Sequence, residues 1–204
     1  MGLVDPASVV VVKRFCVLAL SCLLSGCASR SGVAGYRDAL TPGEHLRLGA
    51  AYEAQGLRPE ASQQYQLAVK RDPKLAEGWL ALGNLEFADG RLKEAGAYFR
   101  KALKAAPHHP GASNNLAMVA LAGNGSLNEA EALAQDALLA AGALRPYVLD
   151  TLANIYLRER RYAEAEAAIA QAEALTPAEN NPVRAQLLET RKSMDASRAS
   201  QGSN

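Results

Sequence analysis

WLALGNLEFADGRLKEAGAYFRKALKAAP, residues 79–107, reads as two helices around a turn. Gly83, Ala95 and Ala102 are small and let paired helices approach closely, while Leu82, Phe99 and Leu103 fill the space between them. Gly90 opens the turn, where a positive φ costs glycine little. Pro107 stops the second helix. The same arrangement stands 34 residues upstream, pairing Gly49 with Gly83, Ala61 with Ala95, Tyr65 with Phe99, Ala68 with Ala102 and Pro73 with Pro107. A fixed period of this length marks stacked structural repeats.

The order W…LG…Y…A…F…A…P resembles the tetratricopeptide repeat (TPR), a helix-turn-helix unit. Repeat two carries Trp79, Leu82, Gly83, Ala95, Phe99, Ala102 and Pro107, with Glu86 where the family has tyrosine. Repeat one has His45 in the tryptophan place, then Leu48, Gly49, Tyr52, Ala61, Tyr65, Ala68 and Pro73. Repeat four has Leu149, Leu152, Ala153, Tyr156, Ala165, Ile169, Ala172 and Pro177. Repeat three is the weakest match: Leu116 and Ala117 fit, Ala120 replaces the tyrosine, and Gly123–Ser126 widen its turn by one residue.

The resemblance implies an all-α protein, a right-handed α-solenoid of about four TPR repeats over 42–177, with units at about 42–75, 76–109, 110–145 and 146–179. Thr41-Pro42-Gly43-Glu44 reads as a capping box that starts the solenoid. Within 180–195, Val183, Leu187, Leu188 and Met194 fall near helical spacing from Pro182 to about Asp195, as expected of a capping helix. Residues 196–204 are small and polar and are expected to be disordered.

The N-terminus carries a different signal. Lys13 and Arg14 precede the apolar run Phe15 to Leu24, whose ten residues span about 15 Å as a helix, half of a hydrocarbon core. That is the length of a signal-peptide h-region. Asp5 and Pro6 suit no n-region, and a start at Val11 or Val12 would leave a compact signal peptide. Leu24-Ser25-Gly26-Cys27 then resembles a bacterial lipobox. The resemblance implies that 1–26 are removed, that the Cys27 thiol takes diacylglycerol and that its amine takes an acyl chain. Residues 27–41 form a lipidated tether. Ala28, where an Asp would favour the inner membrane, points to the periplasmic face of the outer membrane of a Gram-negative bacterium. Cys16, Cys22 and Cys27 are the three cysteines, so 28–204 hold neither a disulfide framework nor a CxxC site.

Aromatic residues are 5% of the chain and its formal net charge is +1, which gives no electrostatic case for nucleic acid. No phosphate loop, GxGxxG, GxSxG or HExxH occurs. His45 occupies a packing slot, and His108 and His109 stand between prolines in an inter-repeat loop. The expectation is therefore a non-enzyme, with no cofactor beyond the acyl groups on Cys27 and no small-molecule substrate.

What remains is protein binding. Family geometry places Leu80, Asn84 and Phe87 of repeat two in a concave groove. Repeat three contributes Asn114, Asn115, Met118 and Leu121, and repeat four Tyr147, Asp150, Asn154 and Arg158. Asparagines can pair with a peptide backbone while apolar neighbours take its anchors. Asn84 and Asn115 match the asparagines of carboxylate-clamp TPR domains, but Leu80, Tyr147 and Thr151 stand at the basic places, against a clamp. The layout resembles the lipoproteins that assemble type IV and Flp pili. A second reading is an adaptor for an envelope peptidase or export system, because the repeats also resemble those attached to some bacterial papain-like peptidases. A third, of another class, is a metal-binding protein or hydrolase using His108 and His109.

Overall fold

Each repeat folds as an antiparallel helix pair. The computed structural model describes residues 38–176 and 182–202. The signal peptide 1–26, Cys27, the tether as far as residue 37 and Pro177 lie outside the described residues. The chain divides into two units, Met1–Ala39 and Leu40–Asn204. Within the second, repeat one is α1 (Pro42–Ala54) and α2 (Arg58–Arg71), and repeat two is α3 (Ala76–Ala88) and α4 (Leu92–Ala105). Repeat three is α5 (Pro110–Ala122) and α6 (Leu127–Leu139). After a 3-10 turn at Gly142–Leu144, repeat four is α7 (Arg145–Arg158) and α8 (Tyr162–Ala174), and α9 (Pro182–Gly202) closes the stack. Among the described residues all regular structure is helical, and none of the helices is long and apolar enough to cross a membrane.

Local chemistry fixes the helix starts. The Glu44 N–H donates to Thr41 Oγ1 at 3.3 Å, and the Thr41 N–H donates to Glu44 Oε2 at 2.7 Å, which completes the capping box. His109 caps α5 by accepting the Ala112 N–H on Nδ1 at 3.2 Å. The wider turn of repeat three admits Ser126 as the cap of α6.

The four first helices end alike. In every repeat the residue after the left-handed position donates back along the chain, Leu57 N–H to the Tyr52 carbonyl, Arg91 N–H to Glu86, Gly125 N–H to Ala120 and Arg161 N–H to Tyr156. The left-handed residue is Gly56 at φ 75°, Gly90 at 73°, Asn124 at 52° and Arg160 at 61°. Only the first two are glycines, and a Cβ in this region strains the backbone. Arg160→Gly is therefore expected to stabilise the fold by about 0.5–1 kcal/mol, the relief of strain exceeding the entropy glycine adds to the unfolded chain. Urea unfolding of the two proteins checks this. An unchanged or lowered midpoint would show that the turn tolerates arginine without strain.

Packing inside each pair follows a volume exchange. A Cβ on Gly49 would sit 2.5 Å from the Tyr65 ring, and one on Gly83 would sit 2.4 Å from the Phe99 ring. Repeats three and four use alanine at that place, Ala117 and Ala153, opposite the smaller Ala134 and Ile169. The core is thus aromatic in the first two repeats and aliphatic in the last two. Between repeats three and four, Val148, Leu152 and Ile155 fill the volume left by Ala130, Ala134 and Ala137. Arg58 Nη2 ties repeat one to two through the Leu85 carbonyl at 2.7 Å, and Arg161 ties repeat four to three through Glu131 at 2.8 Å.

First helices of neighbouring repeats pack on each other, α3 on α5 and α5 on α7, with no comparable approach between successive second helices. The first helices therefore line the inner side of the stack.

The C-terminal segment departs from the expectation. The tail expected to be disordered from residue 196 is helical through Gly202 as part of α9. Ala, Ser, Arg and Gln contain no helix breaker there, and Arg198 finds partners on α8: it donates to Glu166 at 2.8 Å and lies over the Tyr162 ring. Val183, Leu187 and Met194 are buried against repeat four, whereas Leu188 is about half exposed.

Candidate functional site

Helical spacing puts Leu80, Asn84 and Phe87 on one face of α3 and Asn114, Met118 and Leu121 on one face of α5. Leu82, Gly83 and Leu85 are turned to the core instead. The two faces meet through a side-chain bond: Asn115 Nδ2 donates to Asn84 Oδ1 at 2.7 Å. Asn84 is exposed and Asn115 half-buried, so this amide pair forms the open floor of the inner face.

Beside it, Asn114 is 6% exposed and poorly satisfied. Its Nδ2 reaches Asn115 Oδ1 at 3.4 Å and Met118 Sδ at 3.6 Å, and its Oδ1 is buried with no hydrogen-bond partner among the described residues. A buried acceptor left unpaired costs about 1–3 kcal/mol. Tyr147 and Arg158 are exposed or partly so, and Arg158 Nη1 donates to Asn124 Oδ1 at 3.1 Å across the turn of repeat three.

Several expected groove residues are not open. Leu80 and Phe87 are half-buried and pack against the Phe99–Leu116 cluster, and Leu121 packs against the repeat three to four cluster. The reason is that the helix face they share with the asparagines also forms the joint to the next repeat. Asp150 is 2% exposed, covered by α9. Thr190 Oγ1 donates to Asp150 Oδ1 at 2.7 Å, and Gln186 Nε2 donates to Asp150 Oδ2 at 2.5 Å. Asn154 Nδ2 donates to Thr190 Oγ1 at 3.2 Å and to the Asp150 carbonyl at 2.9 Å. Burial pushes the Asp150 carboxyl above its ordinary range, against the opposing pull of the two donors. Repeat four thus gives its polar inner residues to the capping helix rather than to a groove.

Gln186 and Thr190 shape the site, and the repeat pattern does not point to them. Their signal in the sequence is a polar side chain within an apolar stripe, since Val183, Leu187, Thr190 and Met194 are all buried on one face of α9.

The histidines are committed elsewhere. His108 Nδ1 lies 2.6 Å from Asp136 Oδ1, and the Ser113 hydroxyl donates to Asp136 Oδ2 at 3.2 Å. The hydroxyl thus bonds the carboxylate and not the imidazole, so the three lack a nucleophile–base pair. His109 serves as a helix cap, and His45, 1% exposed, places Nδ1 2.7 Å from Gln64. No group of three or more His, Cys, Asp or Glu stands together for a metal ion among the described residues. Nothing in this geometry supports the metal or hydrolase reading.

Family models described as tetratricopeptide repeat match residues 46–110, 86–149 and 147–179. No curated protein matches the chain in sequence. Among solved structures, a thermophilic TPR protein of Thermus thermophilus is similar at TM-score 0.61 and 22% identity, over 75% of this chain and 82% of that one. MamA is similar at 0.57 and 18%, over 66% and 77%. The pilF protein of Pseudomonas aeruginosa is similar at 0.63 and 21%, over 78% and 72%.

Proposed function

The chain is a tetratricopeptide-repeat protein, and on that premise we propose that it is an outer-membrane lipoprotein whose repeats bind a protein partner in assembly of an envelope complex, a type IV or Flp pilus first among them. One observation carries the binding reading: the amide row Asn84, Asn115 and Asn114 on the inner face of repeats two and three. Asn84 Nδ2 is left to donate to a partner carbonyl, and Asn114 Oδ1, buried with no donor among the described residues, gains one only when the floor rearranges around a partner. Met118 and Tyr147 flank the row as apolar contacts. The anchor reading rests on Leu24–Cys27. The pilus reading rests on the layout of lipobox, short tether and repeats, with an architecture like that of pilF.

The test sets stability against binding. Asn114→Leu removes an unsatisfied buried polar group and is expected to raise the unfolding temperature while weakening partner capture from solubilised envelopes. Asn84→Ala is expected to weaken capture by about 0.5–1.5 kcal/mol, the worth of a neutral hydrogen bond. Lys93→Ala, on α4 away from the inner face, should leave capture unchanged. If both asparagine variants retain full capture while Lys93→Ala abolishes it, the inner face is not the site. Phe87→Ala is a poor probe, because its half-buried ring supports the joint to repeat three. Secretin or pilus components among the captured proteins favour the pilus reading; a peptidase or exporter favours the adaptor reading.

A further inference from the structure

The helix pairs give the stack two edges. Every first helix begins and every second helix ends at one edge, while the turns at Gly56, Gly90, Asn124 and Arg160 lie at the other. At the first edge the repeat register puts Lys70, Lys104 and Leu139 at equivalent places near the ends of α2, α4 and α6. A cation at a helix C-terminus complements the helix dipole, which accounts for the two lysines. It does not account for Leu139, which is 87% exposed. Leu144 in the 3-10 turn, 40% exposed, and Leu175 after α8, 50% exposed, lie at the same edge. The edge therefore has a basic half and an apolar half.

The charges of the basic half are available. Lys70, Lys74 and Lys104 make no ion pair among the described residues. Among the carboxylates of this edge, Glu173 is ion-paired with Arg191 and Asp136 faces His108, whereas Glu44 and Asp72 accept backbone N–H groups and, with Glu77, keep their negative charge beside the lysines. The other edge carries Glu60, Glu94, Glu129 and Glu164, one in the first turn of each second helix.

The chain also enters the solenoid at the basic half. Arg71 Nη1 donates to the Leu40 carbonyl, which holds the residue before the capping box beside the end of α2. From Cys27 to Leu40 is thirteen residues, a reach of at most about 45 Å.

We infer that this edge is a lipid-facing surface, with Lys70, Lys74 and Lys104 against anionic phospholipid headgroups and Leu139, Leu144 and Leu175 entering the membrane interface. The inference rests on the Cys27 anchor. Basic residues near an anionic leaflet are attracted to it in a salt-dependent way, and a short tether keeps them within reach. With this edge down, the helices stand off the membrane and the inner face opens along its plane, toward a partner in the same membrane.

The test uses the mature lipidated protein purified from envelopes, whose Cys27 sulfur is a thioether and takes no label, with a fluorophore on either Asn128→Cys or Ala140→Cys. The two positions flank the ends of α6, about 18 Å apart. Vesicles of phosphatidylethanolamine and phosphatidylglycerol carry nitroxide-labelled lipid as quencher. The expected result is several-fold stronger quenching at 140 than at 128, a difference that collapses in high salt and in the Lys70→Gln, Lys74→Gln, Lys104→Gln variant. Equal quenching at both positions on vesicle-bound protein overturns the edge and leaves the anchor standing. So does an asymmetry that neither salt nor the lysine changes affect. Protein that stays off every vesicle removes the anchor reading and this inference with it.

Discussion

Phe99→Ala is expected to destabilise the solenoid by about 3–5 kcal/mol, the usual cost of emptying a buried aromatic site. The ring is 0% exposed and lies against Gly83, within a cluster of Ala95 and Leu116 bordered by Leu80, Phe87, Leu103 and Val119. Those neighbours belong to repeats two and three, so the loss falls on the joint between them. Stacked repeats are held by nearest-neighbour interfaces. The unfolding transition should therefore broaden or split as the two halves uncouple. The converse change, Gly83→Ala, should cost about 1–3 kcal/mol by overpacking, since a Cβ would stand 2.4 Å from the ring. Phe99→Leu added to Gly83→Ala should recover part of that loss, because a smaller side chain vacates the place the methyl needs. Urea unfolding of the wild type and these three variants measures all of this. A loss below about 1 kcal/mol for Phe99→Ala would mean that the joint collapses around the gap at little cost.

Cys27→Ala is expected to abolish lipid attachment: no labelled palmitate incorporated, and a precursor that keeps residues 1–26. Lipidation contributes about 0.8 kcal/mol per buried CH2, so one chain holds a protein only marginally and two or three hold it stably. Alanine has no thiol to take the diacylglycerol, and in the lipobox resemblance that transfer precedes cleavage. Labelling in cells, followed by fractionation and mass determination of the N-terminus, reads the outcome. Wild-type protein recovered soluble with Phe15–Leu24 still attached would end the lipoprotein reading.

The inner face shows how far local pattern carries. Spacing places Asn84 and Asn115 on facing sides of neighbouring helices, and the structure joins them by a hydrogen bond. The same spacing puts Asp150 and Asn154 beside them as groove residues. The period says where a side chain points, but α9 lies over both. Phe87 and Leu121 point inward as their spacing requires, and they are half-buried because the inner face and the inter-repeat joint share a helix surface.

The sequence by itself determined the repeats, their helices and the capping box. Each of these depends on contacts within one period, and such contacts leave their residue types at fixed offsets. Tertiary structure decided which inner positions stay open, because Gln186 and Thr190 reach Asp150 from 36 and 40 residues away, a separation that no period encodes. It also decided that Lys70, Lys104 and Leu139 share one edge with the chain's entry at Leu40. That edge exists only once the helix pairs are stacked, since side chains distant in sequence meet there through the packing of the repeats between them.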